Sequence, residues 1–135
     1  MSDRELVLFD LDGTLIDTAP DMAAALNDLL ASERRPALPF ATIRPHVSHG
    51  STGMLRVGFG DVLAPEETER LRSAFLERYQ TNLADHSRPF PGIEALLEGI
   101  ETGGLRWGVV TNKPGWLTEP LLRSLGLDMR AAVIV

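Results

Sequence analysis

Two carboxylates two residues apart, Asp10 and Asp12 in Phe9-Asp10-Leu11-Asp12-Gly13-Thr14, stand directly behind the apolar run Leu6-Val7-Leu8-Phe9. Four apolar residues bounded by polar sequence read as a strand buried on both faces, and such strands belong to parallel sheets covered by helices. In open sheets of that kind, ligands sit at the carboxyl ends of the strands. Asp10 leaves the strand at that end, and Gly13 lets the chain turn sharply just beyond it. Two acids crowded there are costly unless a cation or a shared proton relieves them, which points to chemistry. A calcium loop is excluded, because it wants Asp or Asn at its fifth position and glycine at its sixth. Here Thr14 is fifth and the glycine is fourth. An ordinary strand-ending turn uses the same residue types, so sequence further along has to separate the two readings.

Leu105-Arg106-Trp107-Gly108-Val109-Val110 is a second strand candidate and runs straight into Thr111-Asn112-Lys113-Pro114. Thr and Asn at a parallel-strand end, followed by a helix start, offer a hydroxyl, an amide and free backbone N–H groups to an anion. Lys113 is the only lysine in the chain, against twelve arginines. The same stretch also suits a plain strand-to-helix turn with Pro114 opening the helix.

Taken together, the two turns resemble the haloacid-dehalogenase superfamily of phosphohydrolases. Asp10, Asp12, Gly13, Thr14, Leu15, Asp17 and Thr18 match its first motif, and Val109 to Lys113 look like its second. The stretch from Trp107 to Pro114, with Phe90, Gly92, Leu96 and Leu97, is similar to the bacterial phosphoglycolate phosphatase branch. It looks closer still to relatives that remove phosphate from N-acetylmuramic acid 6-phosphate during cell-wall recycling. The resemblance implies a magnesium-dependent phosphomonoester hydrolase acting on a small phosphorylated sugar or acid. It makes Asp10 the nucleophile that forms an aspartyl-phosphate, and Asp12 the general acid and base, favoured in its protonated form by a neighbouring carboxylate. Mg2+ would bind the Asp10 side chain and the Asp12 backbone carbonyl, and Thr111, Asn112 and Lys113 would bind phosphate. A second aspartate also argues against a halide-displacing, metal-free relative.

One departure from the family pattern stands out. Full members carry a later lysine and then an acidic pair that completes the magnesium shell, whereas beyond Lys113 this chain has only Glu119 and Asp128 as acids. Lys113 lies in the second motif rather than where that lysine belongs. The sequence closes on Ala131-Ala132-Val133-Ile134-Val135, which reads as a third buried strand. The expectation is the front part of a phosphatase, inactive on its own and able to self-associate through the exposed terminal strand. Two alternatives remain at this level: a non-catalytic protein on the same fold, and a phosphomutase of the same superfamily.

Between the motifs the character changes. Thr18 is placed to cap a helix with Ala19 and Pro20 in its first turn and Met22, Leu26, Leu29 and Leu30 on one stripe. A second helix is expected from Pro65-Glu66-Glu67, with Leu71, Phe75 and Tyr79 on a stripe that reads as cap core. Strand-like alternation is absent here, so residues 16–87 read as an all-helical insert in a core made of 1–15 and 88–135, and the resemblance implies that this insert is the family's small mobile cap. Such a cap closes over substrate and excludes water. Its turn Val47-Ser48-His49-Gly50-Ser51, with Arg44 and Met54 beside it, is the expected specificity loop. Arg44, Ser48 and His49 are the candidate substrate contacts, Arg44 through a carboxylate. Pro89-Phe90-Pro91-Gly92 is the return linker, and Ile93, Leu96, Leu97 and Ile100 give a short amphipathic helix. A further helix runs near Leu117 to Leu125 and stops at Gly126. The alternation of strand and helix predicts an α/β fold, a doubly wound Rossmann-like core with an incomplete parallel sheet.

Composition sets the remaining bounds. With 135 residues, 44% of them hydrophobic, the chain can bury a core plus a small insert. A net charge of −6 supplies no basic stripe for nucleic acid, so the expected partner is a small phosphorylated metabolite. The absence of a long apolar run, the charged start at Asp3, Arg4 and Glu5 and the lack of cysteine suit a cytoplasmic protein without a membrane partner.

Overall fold

The protein, described here from a computed structural model over residues 5–61 and 63–135, has an α/β fold in which helices pack on a short parallel sheet. The charged start at Asp3 and Arg4, the first four residues of the expected core segment and Val62 lie outside the described residues.

Strand β1 (Leu6–Asp10) runs parallel to β4 (Arg106–Val110), and β4 runs parallel to β5 (Val133–Ile134), giving the order β1-β4-β5. The register sets Asp10 opposite Val110. Thr111 therefore leaves the sheet beside Asp10, although a hundred residues of sequence separate them. The expectation of a first strand buried on both faces is corrected. Leu6 and Leu8 are exposed while Val7 and Phe9 are half-buried, the period-two pattern of a strand with one covered face. The middle of β4 is buried, with Trp107 and Val109 fully enclosed and the Trp107 indole N–H donating to Glu101 at 3.0 Å.

Gly108 marks the closest approach in the sheet. A Cβ added there would lie 2.6 Å from Val133 Cγ1, 2.7 Å from the Val133 carbonyl oxygen and 3.2 Å from Leu8 Cδ2. Glycine inside a strand often marks such an approach. Gly108→Ala is therefore expected to push β5 outward and destabilise the fold by about 2 kcal/mol, as overpacking does. Urea unfolding reads this as a lowered midpoint, and an unchanged midpoint would mean that the β4–β5 contact yields freely.

A two-residue strand β2 (Ile16–Asp17) pairs antiparallel with β3 (Arg88–Pro89), Ile16 opposite Pro89. These strands are too short for an alternation to be read from sequence. Between them run α1 (Ala19–Ser32), the short α2 (Phe40–Ile43), a 3-10 turn over Arg44–His49, α3 (Gly50–Phe59) and α4 (Pro65–Thr81). Helix α1 packs beside α4 and against α3, burying the expected Met22, Leu26, Leu29 and Leu30. Leu71, Phe75 and Tyr79 are likewise buried on α4. Helices α5 (Ile93–Thr102) and α6 (Gly115–Ser124) flank β4 in sequence, and the chain stops the second of them with Gly126 at φ +74°.

Two local expectations change. The segment from Val47 to Ser51, read as an irregular turn, is helical throughout: the 3-10 turn passes into α3 through Gly50 at φ +62°. Gly53 permits this packing, since a Cβ there would come within 2.4 Å of the His46 carbonyl oxygen. Thr18 holds the N-cap position of α1, yet its hydroxyl makes no cap. It turns instead to Asp12, as described below. No helix among the described residues is long and apolar enough to cross a membrane.

Candidate active site

Asp10 stands at the carboxyl end of β1 with its carboxylate exposed. Its one side-chain hydrogen bond among the described residues comes from the Leu11 backbone N–H, which donates to Oδ1 at 3.0 Å. Gly13, at φ +81°, turns the chain back so that Leu15 and Ile16 donate to backbone carbonyls at Leu11. The same glycine comes close to the cap, for a Cβ there would touch Ser48 Cβ at 3.4 Å.

Asp12 is buried. Thr18 donates its hydroxyl to Asp12 Oδ1 at 2.8 Å, and the Lys113 ammonium lies 3.1 Å from the same oxygen. Lys113 also donates to the Tyr79 hydroxyl at 2.5 Å and sits over the Tyr79 ring, 4.0 Å from its centroid. Its side chain is only 4% exposed. Burial pushes the ammonium below its ordinary range, opposed by the adjacent Asp12 carboxylate. Burial, and after it the Asp12 and Asp21 charges, push the Tyr79 phenol well above its ordinary range. The phenol therefore stays neutral and accepts from Lys113. Asp12, Lys113 and Tyr79 thus link the turn after β1, the turn after β4 and helix α4 in one chain of contacts. The expected partner of the Asp12 carboxylate was a second carboxylate, but its partners in the structure are a cation and a hydroxyl.

Thr111 begins the turn after β4. Its Oγ1 accepts the Lys113 backbone N–H at 3.1 Å, which leaves the hydroxyl hydrogen free to donate. Asn112 is exposed beside it. Asp10, Asp12, Thr111, Asn112, Lys113, Ser48 and His49 all line a single cavity of about 280 Å³. The fold therefore brings together seven of the eight residues singled out from sequence.

Arg44 is the exception and is corrected. It does not line the cavity; its guanidinium pairs with Asp17 through two hydrogen bonds of 3.1 and 3.2 Å and lies over the Phe40 ring. Asp17 precedes α1 and is within reach, so the arginine is spent on a local two-pronged ion pair. The sequence reading also passed over three groups of this site. Thr18 supplies a hydroxyl to Asp12, Tyr79 receives Lys113, and Arg72 lines the cavity from α4. A signal for the last two was available. Arg72, Phe75, Leu76 and Tyr79 follow the i, i+3, i+4, i+7 spacing of one helix face, and an arginine on an otherwise apolar and aromatic face is anomalous.

A parallel sheet with a carboxylate at one strand end, a Thr-Asn turn at the next and helices α3 and α4 facing the same cavity is an α/β arrangement whose ligand position is the carboxyl edge of the sheet. Residues 7–135 match the haloacid dehalogenase-like hydrolases, and the chain belongs to that family. It is 46% identical over 129 residues to the N-acetylmuramic acid 6-phosphate phosphatase of Pseudomonas aeruginosa, covering 96% of this chain and 57% of that protein. It is 44% identical over 129 residues to the phosphoglycolate phosphatase of Xanthomonas campestris pv. campestris, covering 96% of this chain and 58% of the relative. The crystal structure of a predicted phosphoglycolate phosphatase from Haemophilus somnus superposes with a TM-score of 0.81 at 27% identity, over 100% of this chain and 63% of that one. The chain thus spans somewhat more than half the length of the curated relatives it matches.

Proposed function

We propose that the protein is a phosphomonoester hydrolase for small phosphorylated acids or sugars, with 2-phosphoglycolate and N-acetylmuramic acid 6-phosphate as candidate substrates. The observation that carries this reading is the juxtaposition at the sheet's carboxyl edge: an exposed Asp10 beside the Thr111 and Asn112 donors, with a buried Asp12 facing the same cavity. The names of the relatives support the substrate class.

The steps follow from the groups present. A phosphoryl group held by Thr111 and Asn112 lies where Asp10 can attack phosphorus, forming a P–O bond to its carboxylate as the ester P–O bond breaks. Asp12, a carboxylate beside Lys113 in the free protein, takes up a proton on its other oxygen, Oδ2, from the bound phosphate monoanion or solvent; the leaving alkoxide then takes that proton and the alcohol departs. Water then attacks the same phosphorus, Asp12 receives its proton, and inorganic phosphate leaves as Asp10 is restored. Thr18 and Lys113 orient Asp12 throughout, while Tyr79 holds Lys113 from the cap side.

The donor set suits a hard cation. The Asp10 carboxylate is exposed and accepts one hydrogen bond among the described residues, leaving lone pairs available. Bound by the Asp10 carboxylate and the Asp12 carbonyl oxygen, Mg2+ would neutralise charge between nucleophile and phosphate.

The test is phosphate release from both candidate substrates with and without Mg2+, followed by chelation with EDTA. Turnover that needs Mg2+ and favours one of the two supports the proposal. Phosphate binding without release would instead make this a binding protein.

A further inference from the structure

Arg72 stands on α4 and lines the cavity from the cap side. The other arginines of the same helix have partners: Arg70 pairs with Glu33 and Glu67, and Arg78 donates from Nη1 to the Ala74 carbonyl at 3.1 Å, while its Nε lies 3.0 Å from Asp28 Oδ2 without hydrogen-bond geometry. Arg72 makes no hydrogen bond or ion pair among the described residues, and its Nε is enclosed without a partner. A buried N–H donor with no acceptor is rare and costs about 1–3 kcal/mol, so it calls for a group that the protein itself does not supply. The other cation of the cavity, Lys113, is already committed to Asp12 and Tyr79. Arg72 is then the one lining cation, among the described residues, left to meet an anion brought in by a ligand.

We propose that Arg72 determines specificity by binding the carboxylate of a phosphorylated acid whose phosphoryl group sits at Asp10 and Thr111. This rests on reading the cavity as a phosphomonoester site. Asp10 and the Thr111-Asn112 turn belong to the core side, Arg72 to the cap helix, so one small molecule spanning the cavity presents phosphate to the first and its remainder to the second. A guanidinium fork matches a carboxylate with two parallel hydrogen bonds, which a neutral alcohol cannot return. The apolar neighbours Phe75 and Leu76 on the same face exclude water from that pair and strengthen it. The role first read for Arg44 thus passes to a residue on another helix.

The probes are 2-phosphoglycolate and ethyl phosphate, which differ by a carboxylate in place of a methyl group, titrated calorimetrically into the protein and its Arg72→Met and Arg72→Lys variants. The unaltered protein should bind 2-phosphoglycolate more tightly. Arg72→Met should weaken that binding about ten- to hundredfold, the range for a lost charged hydrogen bond, and leave ethyl phosphate within about twofold. Arg72→Lys, which keeps charge and stem, should fall between, so the outcome does not depend on how well the Met variant folds. Equal affinity of the unaltered protein for both probes, an equal loss on both in the Lys variant, or no loss on either would overturn the assignment of Arg72 alone. Failure of the unaltered protein to bind either probe would instead overturn the phosphomonoester reading, and this inference with it.

Discussion

Asp10→Asn is expected to lower phosphomonoester turnover by at least about 10⁴-fold in any length of this protein that turns substrate over, because an amide cannot serve as the nucleophile at phosphorus. The fold should barely notice. Asp10 is exposed, and its one side-chain hydrogen bond among the described residues is the Leu11 N–H donating to a side-chain oxygen, a bond that the asparagine carbonyl can also accept. Stability should therefore stay within about 0.5 kcal/mol, as for surface substitutions generally. Thermal unfolding and a phosphate-release assay measure the two quantities together. In the unaltered protein, acid quenching during turnover should trap phosphate on the chain, and in the variant it should not. Near-normal turnover by the variant would remove Asp10 from the mechanism.

Asp12→Asn is expected to cost both rate and stability, and the two losses have different causes. Loss of a positioned proton donor costs about 10²–10⁴-fold on alkyl phosphates. Phenolate leaving groups need less protonation, so aryl phosphates should lose less. The stability loss arises because the substitution leaves the Lys113 ammonium enclosed with no counter-charge, and breaking one side of a buried pair typically costs about 3–5 kcal/mol.

The pH dependence of that loss has a definite sign. Burial already lowers Lys113 in the folded protein, and Asp12 opposes the shift. Removing Asp12 lets the folded-state value fall further below the unfolded one, so between the two values the unfolded chain binds more protons and stability rises with pH. The deficit of Asp12→Asn relative to the unaltered protein should shrink as pH climbs from about 7 toward the ordinary lysine value near 10.4. Urea unfolding across that range would measure it. A deficit that stays constant would mean that Lys113 is not the group left unpaired.

Long, strongly periodic segments are legible in the sequence itself. The stripes Met22-Leu26-Leu29-Leu30 and Leu71-Phe75-Tyr79 are buried as their 3.6-residue period requires, because each helix can hide only one face. The strand ends at Asp10 and Val110 were legible as well, since short apolar runs stop where polar residues begin. The errors share another character. Thr18 has the residue type of a helix cap, but burial next to Asp12 gives its hydroxyl a charged acceptor, a stronger partner than a backbone N–H would be. The Val47 to Ser51 segment has turn-like composition, yet Gly53 lets the 3-10 turn pack so closely on α3 that a helical path results. Arg44 and Arg72 are alike as sequence, and only their neighbours in space separate them.

The sequence by itself determined the α/β class and the helical character of the segment between β2 and β3, because each follows from residue chemistry or from a period that repeats locally along the chain. Which groups meet was decided by tertiary structure alone. The parallel register that sets Asp10 against Val110, the Lys113 ammonium on Asp12 and Tyr79, and Arg72 beside the same cavity, its Nε without a partner among the described residues, all depend on elements far apart in sequence. Contacts of that kind leave no local signature, since a buried charge finds its partner by distance and desolvation rather than by its neighbours along the chain.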